Sequence, residues 1–170
     1  MMFSESHKEA QALLDKFEVY TIPIKIEEIA KKEGLKVIPY PFNEGISGTL
    51  LINENVIGFN QTESRVRRRF TIAHELGHFM LHRNQNKTVF LDKLFRFNVP
   101  NDNQNEQFEM EANAFAAAIL MPEKILRKEI KGIEIDLGDE LAIKYLAKKF
   151  DVSTTAMYFR LLNLKLISPH

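Results

Sequence analysis

A ten-residue stretch, AHELGHFMLH (Ala73–His82), restricts most tightly what this chain can fold into. It sets His74, Glu75, His78 and His82 in an otherwise apolar segment. Helical periodicity runs from Ser64 to Arg83, so the stretch is expected on a long buried helix. Ionisable groups buried there are costly unless something pairs with them. His74 and His78 differ by about 40° around such a helix and rise about 6 Å along it. Two imidazoles at that spacing can converge on one metal ion, roughly 2.0–2.1 Å from each nitrogen. Glu75 lies about 100° around from His74, off the ligand direction but beside it. Its carboxylate can therefore meet a water on the ion, which is the physical content of H-E-x-x-H: two ligands and a general base from one turn.

His82 looks like a third ligand and fails on geometry. It lies about 80° around from His74 and about 12 Å along the axis, out of reach on an unbroken helix. The longer form of the motif, in which a glycine turns the chain back to a third histidine, is absent. His7 and His170 sit near the chain ends and are poor candidates. The helix expected over Phe108–Leu120, FEMEANAFAAAIL, offers carboxylates instead. With Phe108, Phe115 and Ile119 as its buried seam, Glu111 falls about 60° from that seam, Glu109 about 100° and Glu106 about 160°. A carboxylate at the seam's edge needs a cation, so Glu111 is the expected third ligand and Glu109 the second choice. The alanines around it leave little bulk, and Gly77 does the same on the other helix, at a local cost of about 1 kcal/mol against alanine. The two helices are therefore expected to pack closely.

The surrounding chain has ordinary globular composition, 45% apolar and 27% charged over 170 residues, enough for one sizeable core. Formal net charge is zero, which argues against strong non-specific attraction to nucleic acid or anionic membrane. Without cysteine, any metal must be held by His, Asp or Glu. MMFSESHKEAQ has no apolar signal core and no 18-residue apolar run occurs, so a cytoplasmic protein is expected.

Helices are expected over Glu5–Val19 and from Pro23 to a cap at Gly34, followed by a strand over Leu35–Tyr40. ISGTLLI and VIGFN, joined by Asn53-Glu54-Asn55, read as a hairpin. TVFLDKLFRF reads as an edge strand or short helix, and the Asn/Gln-rich NVPNDNQNEQ as an exposed mobile loop. Three or four short helices are expected after Pro122. The class is α+β.

The segments RRRFTIAHELGHFMLH and FEMEANAFAAAILMP together resemble the ImmA/IrrE family of zinc-dependent peptidases. The likeness extends from about Leu35 to Pro122 and, more loosely, to the C-terminal helices. It implies a zincin-like core over residues 1–122 with a helix-turn-helix-like subdomain over 123–170. It also implies a zinc ion held by His74, His78 and Glu111, with Glu75 as base. Several members of that family cleave helix-turn-helix repressors, so a protein substrate of that kind is the expected partner. His82, near the end of the ligand helix, is a candidate oxyanion donor; the alternative is a packing or supporting histidine. An edge strand of the sheet is expected to hold the substrate as an added strand.

The basic cluster Arg65, Arg67, Arg68 and Arg69 reads as a solvated helix face with packed stems more readily than as an attractor of acidic substrate. LAKKFDVSTTAMYFRLL has the pattern of a helix-turn-helix, with Ala147, Val152, Ala156 and Leu161 as core positions and Ser153 as cap. Residues 122–170 carry nine basic and seven acidic residues, a small footprint for phosphate contacts. A packing or partner-recognition role is favoured there over DNA binding. The other function class open to the chain is a regulator that keeps the zincin fold without turnover and binds a repressor or DNA.

Overall fold

The computed structural model describes residues 4–93, 103–134 and 136–169. Helix α1 (Ser4–Lys16) and helix α2 (Ile26–Lys32) precede strand β1 (Lys36–Tyr40). Pro23 thus precedes α2 rather than opening it. The hairpin forms as β2 (Ile46–Leu51) and β3 (Val56–Asn60), antiparallel, with Gly48 opposite Phe59 and Leu51 opposite Val56. Asn55 closes it at φ 53°, a left-handed conformation that asparagine tolerates. Strand β1 joins β3 in parallel and β4 (Val89–Lys93) joins β2 antiparallel, giving the order β1-β3-β2-β4. TVFLDKLFRF therefore supplies an edge strand; its last four residues lie outside those described.

Helix α3 (Arg65–His82) crosses the sheet, capped where Ser64 accepts a hydrogen bond from the Arg67 amide. Helix α4 (Asn103–Leu120) covers its other side. The expected loop is corrected here: Asn103–Gln107 form the first turn and a half of α4, and only residues 98–102 of that tract lie outside the description. Glycines set both spacings. A Cβ on Gly77 would stand 3.2 Å from the Ala112 Cα and 3.1 Å from Phe115. A Cβ on Gly48 would stand 2.3 Å from the Thr71 side chain, so β2 can press on α3 only with glycine there.

Helices α5 (Glu123–Ile130), α6 (Glu140–Phe150) and α7 (Thr154–Asn163) follow. Between α6 and α7, Asp151 turns at φ 55° and Ser153 caps α7 through the Ala156 amide. Ala147, Val152 and Leu161 are buried as expected, and Ala156 is half-buried. The hydrophobic core runs continuously from Leu13 and Leu14 of α1 through Leu76, Phe115 and Ile119 to Leu146, Phe150 and Leu161. The fold is α+β, seven helices and a four-stranded sheet among the described residues. None of these helices is long and apolar enough to cross a membrane.

Candidate metal centre

Helix α3 presents both histidines of the motif toward α4. His74 Nε2 and His78 Nε2 lie 3.0 Å apart. Opposite them stands Glu109, its Oε2 3.1 Å from His74 Nε2 and its Oε1 3.2 Å from His78 Nε2. Among the described residues, these three form the group of ligand-type side chains able to hold an ion together. A tetrahedral ion with bonds of about 2.0–2.1 Å spaces its ligand atoms by roughly 3.3 Å, so the observed separations fit.

The structure brings Glu109, the second choice, and not Glu111 to the histidine pair. Glu111 does not face the pair; its Oε2 accepts from His82 Nε2 at 2.8 Å and its Oε1 from Gln107 at 2.8 Å. The reason is the face that α4 buries. Where α4 meets Gly77 of α3, the backbone of Ala112 makes the close approach beside the Phe115 ring, and Ala112 is fully buried. Ala112 lies about 40° from Phe108 toward Glu109, which leaves Glu109 about 60° from the true seam and Glu111 about 100°. Small residues mark the close approach, and a seam drawn through the largest side chains is displaced. A second signal was available: Glu109 and Asn113 are four apart, the same spacing as His74 and His78. Asn113 Oδ1 lies 2.8 Å from His74 Nδ1 and fixes that ring, a role the sequence reading did not assign.

Glu75 is fully buried beside the pair, and neither carboxylate oxygen finds a hydrogen-bond partner among the described residues. Burial raises its pKa well above the carboxylate range, with Asp92 and Glu109 adding to the effect against the opposing pull of His74. Burial also opposes charge on His74, but its hydrogen bond to Glu109 and the fields of Glu75 and Asp92 outweigh that and raise it to about 9. His78 is driven down to about 3, chiefly by burial. Glu109 is held below the usual range because its bonds to both histidines outweigh burial, so it stays ionised.

His82 is buried, with Nδ1 3.1 Å from His78 Nδ1 and Nε2 on Glu111. Both ring nitrogens are engaged within the protein, which leaves neither directed at an oxyanion. Phe90 of β4 stacks on the His78 ring, centroids 4.2 Å apart, and Phe108 packs on His82 at 4.3 Å. Behind the site Arg67 bonds Asp92 and Ser47, and Ser47 donates to Glu63. His7 lies away from the centre, against Arg160, and His170 falls outside the described residues.

Residues 30–162 match the model of a peptidase family described as the IrrE N-terminal-like domain. The chain belongs to that family. The match covers every side chain of the IrrE-like centre just described, from Ser47 to Asn113. A solved structure of a Mycobacterium tuberculosis transcriptional regulator superposes with TM-score 0.65 over 93% of this chain at 15% identity, a likeness of fold alone. The chain spans 47% of that protein's length. No curated protein sequence matches.

The basic cluster is largely consumed by the fold. Arg69 is buried, donating from Nε to the Asp151 carbonyl and from Nη1 to that of Ile24, while Arg65 pairs with Asp151. Arg160, the basic residue of the turn-helix segment, is buried and bonds the Met121 carbonyl.

Proposed function

We propose that this IrrE-like domain is a zinc-dependent endopeptidase acting on a regulatory protein, a helix-turn-helix repressor by preference. The observation that carries the reading is the orphaned, buried Glu75 carboxylate beside His74, His78 and Glu109. A burial that costly is explained when the group has a reacting partner. Two imidazoles and one carboxylate are a catalytic zinc set that leaves a position open. Bound there, the ion supplies Lewis acidity toward a water and the scissile carbonyl. His74, His78 and Glu109 hold it; Asn113 orients His74. Glu75 takes the proton of the attacking water and delivers it to the leaving amine nitrogen. Burial, which raises its pKa, disposes the carboxylate to take up a proton. The outer edge of β4, with Val89 and Leu91 exposed, is the edge suited to pairing an extended substrate segment next to His78.

A second reading is a regulator without turnover, supported by the transcriptional regulator whose fold it shares. Co-expression with repressors from neighbouring genes separates the two. Cleavage by the wild type and none by Glu75→Gln supports the peptidase. Chelator-insensitive, salt-sensitive binding to an operator, with no cleavage product, supports the regulator.

A further inference from the structure

Each ligand histidine must present a bare Nε2, and so must carry its proton on Nδ1. The two rings are held in that form by different means. His74 donates from Nδ1 to the neutral Asn113 amide oxygen at 2.8 Å. His78 instead faces another imidazole: its Nδ1 lies 3.1 Å from His82 Nδ1. Between two Nδ1 atoms one must donate and the other accept, and nothing within that pair decides which. The decision is made one residue further out. An ionised carboxylate can only accept, so His82 Nε2, 2.8 Å from Glu111 Oε2, carries the proton. A neutral His82 then has a bare Nδ1, which accepts from His78 Nδ1–H, and an ion held with Glu109 and His74 would meet a bare His78 Nε2.

We propose that Glu111 and His82 form a two-step positioning relay that fixes the tautomer of His78 as a metal ligand. The inference rests on the metal-site reading above. It gives work to the two residues of the motifs that the site itself leaves unused. It also accounts for their burial. His82 is 2% exposed and is clamped between Phe90 and Phe108, so its ring cannot turn away to find another partner. Glu111 is steered in turn by Gln107, which donates to Oε1 at 2.8 Å. Carboxylate–histidine support of a ligand imidazole is worth about 10–100-fold in metal affinity when removed. Here the carboxylate acts through an interposed second ring.

The first test needs no substrate. Imidazole 15N NMR of the full zinc-loaded chain, with selectively labelled histidine, is expected to show His82 protonated on Nε2 with a bare Nδ1 facing His78 Nδ1–H. The opposite tautomer at His82 would overturn the relay, whether or not the chain cleaves anything. The second test is zinc affinity by competition with a chromophoric chelator. His82→Phe keeps the aromatic packing and is expected to weaken zinc about 10–100-fold. His82→Gln can accept from His78 and donate to Glu111, and is expected to restore affinity to within a few-fold of wild type. A purely packing role predicts the reverse, with His82→Phe at full affinity and His82→Gln impaired. Should His82→Phe fail to fold, Glu111→Leu is read in the same way: unchanged zinc affinity and an unchanged His82 tautomer would sink the proposal. If zinc affinities follow the relay but no variant, wild type included, cleaves a repressor, the relay stands and the peptidase reading fails.

Discussion

At the scale of single residues, the centre separates two glutamates that lie only two positions apart on α4. Glu109 meets both histidines of the pair; Glu111 meets His82. Their substitutions should therefore differ in kind. Glu109→Gln is expected to lose tight zinc binding outright, because it removes the charged member of the triad. Glu111→Gln keeps all three ligands and is expected to bind zinc only about 10-fold more weakly. Isothermal titration of the two proteins with zinc checks this, and equal losses would argue against the assignment of Glu109. The sequence made His74, His78 and Glu75 legible because their roles follow from positions on one helix. The place of Glu109 beside them was less legible because it depends on how a second helix is rotated. That rotation brings Ala112 against Gly77, residues that signal by lacking bulk. Asn113 was illegible as an orienting group until the ring it bonds had a place in space.

At the scale of elements, the site is a product of two close approaches. Gly77 lets α4 approach α3, and Gly48 lets β2 approach α3. A branched side chain at Gly77 would strike the Ala112 backbone and the Phe115 ring. Gly77→Val is expected to destabilise the fold by about 1–3 kcal/mol through overpacking. It should also weaken zinc binding more than that loss explains, since the two helices it parts carry the ligands. Urea unfolding with and without zinc measures both effects. Strand β1 and the β2–β3 hairpin were readable from their apolar runs and the Asn-Glu-Asn turn, whereas the β4 run reads as either an edge strand or a short helix. The start of α4 was not, because NDNQNEQ is polar enough to read as loop while its helix is stabilised by packing further along. The helix-turn-helix-like pair was readable in outline, but its turn is tied down by arginines of α3, a long-range contact that no local pattern carries.

At the scale of the whole molecule, the C-terminal helices and the core that carries the candidate metal centre share one hydrophobic cluster, and Arg69 ties them together. Arg69→Leu leaves the carbonyls of Ile24 and Asp151 without that donor and is expected to cost about 2–3 kcal/mol. Arg65→Ala, which loses only a more exposed pair with Asp151, should cost less than about 1 kcal/mol. The chain should also be acid-sensitive at its N-terminal helix. His7 accepts from Arg160, and burial together with that guanidinium lowers its pKa below 6.5 despite the opposing field of Glu123. Because the folded value is the lower one, this stabilisation is complete above about pH 6.5 and is lost as pH falls below it. His7→Gln should flatten that part of the dependence of the urea midpoint on pH. These contacts frame a carboxylate that finds no hydrogen-bond partner among the described residues. The central claim is that Glu75 is the base of a metal-dependent peptidase. Mass-spectrometric mapping of new protein N-termini in cells expressing the wild type or Glu75→Gln, with each protein shown to carry one zinc per chain, tests it most directly. The account predicts discrete new termini in a regulatory protein with the wild type and none with Glu75→Gln. The same termini appearing at the same rate with Glu75→Gln would contradict it.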